Sequence, residues 1–421
     1  MLATRLAVVF AALVAVPAVW WFTLPAGTDR SLVKPSVRAY VARFARWICA
    51  RPVLWAMSWP HMLERFVRGD APEPAPHTVV WRDGPAQLRR YSESPGPVVL
   101  IVHALVSDAA ILDLTPQRSL VRHLREQGFD VFLLDWGRAS RAQRDDGFEQ
   151  YAARLLEAER QTLTAAGVKE FHLVGYCAGA MLSLMRLASQ PAEHVRTFTA
   201  LAPPVDMDVP VTGGMGVVLS AKSLKPVVAL DHRGCVPGQL IRESFHILRP
   251  KVLASMRALI SNRDDAHFVR EFKALSRWTW NQPPVPGALF FDLVELFRSN
   301  ALFQGTMALL GSPVDLRNVT TPTLLAVSGR DHIVPLGSSL ALQNRIGGRL
   351  ETLICQTGHV SMITGDTGRA TMWPRLVEWL RENTPQPAAA KKPRSTAKKK
   401  RTPRRRSQPV EPSQPARPRG R

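Results

Sequence analysis

The chain contains a short segment in which a cysteine occupies the position of an activated nucleophile. Cys177 lies between Gly175 and Gly179, after the apolar run 171–174 and before a helical pattern over 180–187. This Gly-x-nucleophile-x-Gly pattern is typical of a sharp strand-to-helix turn. Glycines are needed there because side chains would collide with neighbouring backbone, and the helix N-terminus favours a thiolate. We predict a nucleophilic Cys177; a buried cysteine in an ordinary β–α turn is the alternative.

A cysteine nucleophile needs a base for its proton and an acid that orients the base. Asp331 follows the apolar run 323–327, and His359 follows the run 350–354. The order nucleophile, acid, histidine is the one expected for this kind of turn, and both residues come just after strand ends. We therefore predict a triad of Cys177, Asp331 and His359. His332, the neighbour of the acid, is assigned a secondary role.

Two backbone N–H groups are needed to stabilise an oxyanion in acyl transfer. Ala178, next to the nucleophile, is predicted to supply one of them. The other is predicted to come from Leu105 or Val106, in the loop after the apolar run 98–102.

The elements around these residues alternate between strands and helices. Helical patterns cover 119–127 and 147–166, and the predicted strands are 98–102, 131–134, 171–174, 197–201, 323–327 and 350–354. Such alternation predicts an α/β fold with a mostly parallel sheet. The alternation stops in a helical block rich in Trp, Phe and Pro, which we interpret as a cap over the site. The predicted parts are a core of 79–205 and 315–386 and an inserted cap, 206–314.

The composition fits a large core with charged ends. The chain has 421 residues, of which 46% are hydrophobic, and a formal net charge of +21. Its four cysteines, Cys49, Cys177, Cys235 and Cys355, show neither CxxC nor metal-ligand spacing. We therefore predict no disulfide framework, no metal and no cofactor.

The first 78 residues do not follow the α/β pattern. In segment 1–30 an uncharged run of 19 residues, Leu6–Leu24, is long enough to span a membrane. A cleaved signal peptide is the competing interpretation, but Pro17 and the lack of an A-x-A site favour an uncleaved anchor. Segment 31–78 combines an Arg-rich amphipathic pattern, suited to a membrane surface or to packing on the domain, with a Pro-rich linker. We expect a cytoplasmic catalytic domain at a membrane or granule; cleavage would imply secretion.

The last segment, 387–421, lacks apolar periodicity and is predicted to be disordered. From Lys391 onward it holds 13 Lys and Arg and one acid, Glu411. Such a tail would bind nucleic acid or polyphosphate without sequence preference, because it has no aromatic side chain for base stacking. A merely solubilising tail is the alternative.

Many short motifs from about residue 79 to residue 380 together resemble the polyhydroxyalkanoate (poly-3-hydroxybutyrate) synthase family, α/β-hydrolase relatives with a catalytic Cys. The motifs in the core are Ile111-Leu112-Asp113-Leu114, Leu134-Asp135-Trp136-Gly137, Gly175-Tyr176-Cys177, Ala202-Pro203-Pro204-Val205-Asp206, Asp331-His332-Ile333-Val334-Pro335 and Gly358-His359. The motifs in the cap are Val236-Pro237-Gly238, Trp280-Asn281, Pro286-Gly287, Asn300-Ala301-Leu302 and Gln304-Gly305. The resemblance implies an α/β-hydrolase fold with an inserted helical cap, and a triad at Cys177, Asp331 and His359.

The function implied by the resemblance is acyl transfer from a 3-hydroxyacyl-CoA substrate to a growing polyester through a Cys thioester, with a homodimer or a partner subunit as the assembly. An esterase or polyester depolymerase on the same scaffold is one alternative. A non-catalytic granule- or membrane-surface protein tethered to nucleic acid is the other. Four positions depart from the family pattern near the entrance and the oxyanion loop, namely Ala180, Ser107, Asp108 and Gln282.

Overall fold

The computed structural model describes residues 73–92, 96–209, 234–242, 258–259 and 261–385. The predicted segments 1–30 and 387–421, most of 31–78, and parts of the cap lie outside this range. Within the described residues no helix is both long enough and apolar enough to cross a membrane.

The core is one eight-stranded sheet with helices on both faces. Its strands are β1 (Thr78–Asp83), β2 (Ala86–Arg90), β3 (Val98–Val102), β4 (Asp130–Asp135), β5 (Phe171–Tyr176), β6 (Val195–Leu201), β11 (Thr323–Ser328) and β12 (Leu350–Cys355). Their spatial order is β1-β2-β4-β3-β5-β6-β11-β12. From β4 to β12 all neighbours are parallel. All six strands predicted from the sequence are present, and the predicted α/β fold with a mostly parallel sheet is confirmed.

Successive strand residues pack on opposite faces of the sheet. Leu100 and Val102 join one buried cluster, while Val99 and Ile101 join the other. This period of two follows from the pleat, and a strand that is apolar on both faces is the mark of a parallel sheet covered by helices.

The first four helices of the core connect parallel strands, and the last two follow the final strand, β12. They are α1 (Leu120–Glu126), α2 (Phe148–Ala166), α3 (Ala178–Ser189), α7 (Leu336–Leu340), α8 (His359–Thr364) and α9 (Asp366–Glu382). Short 3-10 helices cover Ala109–Leu112, Arg141–Gln143, Leu316–Asn318 and Ala341–Asn344. Helix α3 begins directly after the Cys177 turn, and α8 begins at His359.

The described part of the region between β6 and β11 is mainly helical. It contains α4 (Ala266–Trp280), α5 (Gly287–Ser299) and α6 (Ala301–Gln304). Two small antiparallel ladders, absent from the sequence prediction, join β7 (Cys235–Val236) to β8 (Val285–Pro286) and β9 (Ala308–Leu309) to β10 (Ser312–Pro313). Asn300 donates hydrogen bonds to Asp206 (2.8 Å) and Asp208 (2.9 Å), so it links the start of this region to its later helices.

Candidate active site

Cys177 occupies a strained turn between β5 and α3. Its backbone has φ 54° and ψ −125°, a combination that side chains rarely adopt. Two backbone hydrogen bonds hold the turn: Cys177 N–H donates to the Leu201 carbonyl (2.8 Å), and the Cys177 carbonyl accepts from Met181 N–H (3.1 Å). Strain of this kind persists only where the surrounding structure overdetermines it, and it concentrates at functional sites.

The two glycines of the turn are required by close backbone contacts. A Cβ on Gly175 would lie 2.5 Å from the Cα of Ala180, and one on Gly179 would lie 2.2 Å from the His103 carbonyl oxygen. At Gly175 the backbones of strand and helix approach closely, and at Gly179 the loop after β3 lies against the first turn of α3. Ala180, where the family has glycine, is buried at this contact.

Asp331 and His359 come from neighbouring loops that hydrogen-bond to each other. Gly329 N–H donates to the Cys355 carbonyl (2.7 Å), and Arg330 N–H donates to the Thr357 carbonyl (2.9 Å). This pairing continues the parallel register of β11 and β12 past the strand ends. The acid and the histidine are thus placed at the same edge of the sheet.

The side chains of the three predicted triad residues meet at this edge. His359 Nδ1–H donates to Asp331 Oδ2 at 2.7 Å, and Cys177 lies close enough to His359 to influence the pKa of its ring. Asp331 Oδ1 accepts from the backbone N–H groups of Ile333 (2.8 Å) and Val334 (2.9 Å), which fixes the carboxylate. His332 itself is exposed, so its secondary role stays a prediction.

The charge state of His359 is set by opposing effects. Burial disfavours the imidazolium, but the negative charges of Cys177 and Asp331 and their hydrogen bonds outweigh it and raise the pKa of His359 to about 10. The arrangement therefore stabilises the imidazolium form of His359. A thiolate is the nucleophilic form of cysteine.

The loop 103–108, which carries the predicted oxyanion donors, lies beside the nucleophile helix. Leu105 is buried and Val106 is half-buried. Ala178 is the first residue of α3. The assignment of Ala178, Leu105 and Val106 as oxyanion donors stays a prediction.

Two of the departures from the family pattern have local structural explanations. Asp108 Oδ1 accepts from Ala110 N–H (2.9 Å) and so caps the 3-10 helix Ala109–Leu112. Gln282 is buried in the cap, where its Nε2 donates to the Trp278 carbonyl (2.6 Å). Ser107 is also buried, but no contact explains its identity.

Two supporting residues were missed by the sequence reasoning. The Tyr176 ring packs on His359 with ring centroids 5.2 Å apart, and the Tyr176 hydroxyl donates to the His359 carbonyl at 3.5 Å. Trp136 binds the loop after β3. Of these two residues, Tyr176 could have been anticipated from the sequence, because it directly precedes Cys177. No group of three metal-ligating side chains occurs within the ranges that the structure describes.

Comparison with known proteins adds independent information. Residues 97–366 match the family model of the alpha/beta hydrolase fold. The poly(3-hydroxyalkanoate) polymerase subunit PhaC of Allochromatium vinosum is 30% identical over 324 residues, which are 73% of this chain and 89% of that relative. The subunit of the same name from Haloferax mediterranei is 29% identical over 319 residues, covering 73% of this chain and 64% of the relative. A monoacylglycerol lipase structure from Paleococcus ferrophilus has a TM-score of 0.47 and 15% identity, covering 71% of this chain and 99% of the lipase.

Proposed function

This chain belongs to the alpha/beta hydrolase fold family and to its poly(3-hydroxyalkanoate) polymerase members, and from that premise we propose that it polymerises 3-hydroxyacyl groups from CoA thioesters through a thioester on Cys177. The observation that carries the proposal is the hydrogen-bonded pair His359–Asp331 beside Cys177, which occupies a strained strand-to-helix turn. Cysteine suits this reaction because its thioester exchanges readily with a CoA thioester.

The first half-reaction loads the enzyme. His359 takes the Cys177 proton, and the thiolate attacks the carbonyl carbon of 3-hydroxyacyl-CoA. A carbon–sulfur bond forms as the carbonyl electron pair moves to oxygen, which backbone N–H groups stabilise. When the intermediate collapses, the bond to the CoA sulfur breaks, and the His359 proton passes to the departing CoA thiolate.

The second half-reaction extends the polyester. The hydroxyl group at the end of the growing chain attacks the Cys177 thioester, while His359 takes its proton. An ester bond forms, the bond to Cys177 breaks, and the proton returns to the sulfur. Water in place of the hydroxyl would give hydrolysis, so a cap that excludes water favours transfer.

The test measures both products of one reaction. Purified full-length protein is incubated with 3-hydroxybutyryl-CoA, free CoA is measured, and the acyl product is sized. We expect CoA release with formation of polymer, and no release by Cys177→Ala. Free 3-hydroxybutyrate instead of polymer would support the esterase or depolymerase alternative. No CoA release by the wild type would support the non-catalytic alternative.

The location of the enzyme follows from its substrate. CoA thioesters are cytoplasmic, so we propose a cytoplasmic catalytic domain, held at a membrane or granule surface by the uncleaved run Leu6–Leu24. N-terminal sequencing of the mature protein checks this. A mature chain that starts near Val19 would indicate export and favour the hydrolase alternative.

The state of assembly is a separate proposal. Several similar proteins are named polymerase subunits, so we propose that this chain acts as a homodimer or with a partner subunit. Light scattering on the purified chain, with and without substrate, measures its mass. A monomer that polymerises at full rate would contradict the proposal.

A further inference from the structure

The start of the loop 103–108 lies against the first turn of α3, with little freedom on that side. The carbonyl oxygens of Val102 and His103 lie where a side chain on Gly179 would have to be. Because the loop carries a predicted oxyanion donor, its backbone position decides whether that N–H reaches the developing negative charge. Donors must lie about 2.7–3.1 Å from the oxyanion, so small displacements matter.

Two tryptophans each hold one end of this loop by a hydrogen bond from the indole N–H to a backbone carbonyl. At the first residue, the Trp136 indole N–H donates to the His103 carbonyl (3.1 Å), and the His103 Nε2 accepts from the Trp136 backbone N–H (3.2 Å). At the last residue, the Trp278 indole N–H donates to the Asp108 carbonyl (2.8 Å). Trp136 belongs to the core, whereas Trp278 belongs to cap helix α4.

Helix α4 is itself held on the core near its middle and at its end. Glu271 forms an ion pair with Arg118 (2.5 Å), which lies before α1. Arg138 donates to the carbonyl groups of Asn281 (2.9 Å) and Gln282 (3.2 Å), directly after the helix. The backbone that carries Trp278 is therefore fixed on the core. Trp278 is only 8% exposed, so water competes little for its hydrogen bond to the Asp108 carbonyl.

We propose that Trp278 is a positioning residue for acyl transfer. Its indole N–H holds the carbonyl of Asp108, and through it the loop 103–108, at the place where the backbone N–H of Leu105 or Val106 meets the oxyanion. The inference rests on the proposed acyl-transfer function. It assigns to one cap residue a direct role in the geometry of the oxyanion site.

The test compares two reactions of the same thiolate in Trp278→Phe. Iodoacetamide alkylates Cys177 by displacement of iodide and forms no oxyanion. Acylation of Cys177 by p-nitrophenyl butyrate or by 3-hydroxybutyryl-CoA passes through one. We expect acylation to fall about tenfold or more, less than the roughly hundredfold or greater loss for a deleted donor, while alkylation stays within about twofold. An equal fall in both reactions, or no fall in either, would overturn the proposal.

Trp373→Phe is the matched control. Trp373, in α9, is buried like Trp278, and its indole N–H likewise donates to a backbone carbonyl, that of Ile363 (3.2 Å). We expect a similar loss of thermal stability but an unchanged ratio of acylation to alkylation. A selective loss of acylation in this variant would show that losing any buried indole hydrogen bond lowers acylation, and would contradict a specific role for Trp278.

A second variant covers the case in which Trp278→Phe does not fold. Benzothienylalanine at position 278 keeps the two fused rings and lacks the N–H, so the same selective loss is expected and its absence overturns the proposal. A wild type acylated by the nitrophenyl ester but not by the CoA thioester would contradict the proposed function alone. A wild type that is alkylated but acylated by neither would contradict both.

Discussion

Cys177 shows how a strained residue can be anticipated from its neighbours. The glycines on both sides indicated a turn in which strand, helix and loop approach too closely for a Cβ. In the structure, a Cβ added to either glycine would lie only 2.2–2.5 Å from neighbouring backbone atoms. Backbone strain of this kind costs on the order of 1–3 kcal/mol. Since Cys177 could adopt a relaxed conformation in an ordinary turn, the strain supports a functional reason for placing its thiol there.

Replacing the sulfur with oxygen tests whether a thiolate is needed. In Cys177→Ser the hydroxyl remains protonated beside His359 at neutral pH, because a serine hydroxyl is far more weakly acidic than a thiol. We expect CoA release to fall at least about a hundredfold while the melting temperature changes little. Mass mapping after incubation with substrate should find the wild-type acyl adduct on Cys177. An adduct on Cys235 or Cys355 would contradict the assignment.

The negative charge of Asp331 is expected to control how much thiolate is present near neutral pH. Asp331→Asn removes one of the charges that raise the pKa of His359, so the imidazolium becomes less stable and the pair shifts towards thiol and neutral imidazole. Alkylation of Cys177 near pH 7 should therefore be slower in Asp331→Asn than in the wild type, and its dependence on pH should shift. Superimposable pH profiles would show that Asp331 does not act through this charge.

Other residues of the site could not be found from the sequence. Trp278 lies two positions before the family motif Trp280-Asn281, and nothing local indicates which indole turns towards the core. Its bond to Asp108 exists only because α4 packs on the loop after β3, a contact between residues far apart in the chain. Long-range packing of this kind leaves no periodic signal.

At the scale of elements, the parallel strands of the sheet were predictable, whereas the antiparallel pair at its edge and the two-residue ladders were not. Runs such as 98–102 and 131–134 are apolar without interruption, as expected for strands covered on both faces. The antiparallel pair β1 and β2 was missed, although the dipeptide Gly84-Pro85 between them is a turn signal and Gly84 has φ 55°. The two-residue ladders β7–β8 and β9–β10 are too short for alternation to be visible.

His172 joins three elements and is expected to make their packing sensitive to acid. It lies in β5 and hydrogen-bonds to Thr197 of β6 (2.8 Å) and to Thr384 after α9 (3.0 Å). Burial, with a contribution from Arg196, lowers its pKa to about 4. The unfolded chain, with a pKa near 6.5, binds the proton more readily. This contribution to stability is therefore present above about pH 6.5 and is lost as the pH falls towards 4.

The measurement is the free energy of unfolding in urea across that range. The wild type should lose on the order of 3 kcal/mol relative to His172→Gln between neutral pH and about pH 4. Glutamine keeps a polar side chain and does not titrate. The carboxylates are the same in both proteins, so their contribution to the pH dependence cancels in the comparison. Parallel stability curves for the two proteins would show that His172 is not the responsible group.

At the scale of the whole molecule, the chain order and the sheet order together assemble the site. The predicted nucleophile, acid and base follow β5, β11 and β12, which occupy the same half of the sheet, although residues 206–314 separate the first from the others in sequence. The order of the three residues and their places at strand ends were enough to predict that they would meet. The contacts between α4 and the core depend on the packed chain and required the structure.

The uneven distribution of charge leads to the last prediction, which concerns the segment 387–421. Of the formal charge of +21, +12 lies from Lys391 onward, and this stretch has no aromatic residue. The full chain should therefore bind DNA weakly, without sequence preference and with a steep dependence on salt, because basic side chains release counterions from phosphate.

Deleting residues 388–421 should abolish this binding and leave CoA release per molecule nearly unchanged, since Cys177, Asp331 and His359 lie in the core. A tail of the same composition in scrambled order should retain binding, because only its charge is used. The measurement is a gel-shift titration over a range of salt concentrations. If the truncated protein binds as well as the full chain, the basic surface lies elsewhere, and the Arg-rich stretch 38–51 becomes the next segment to delete.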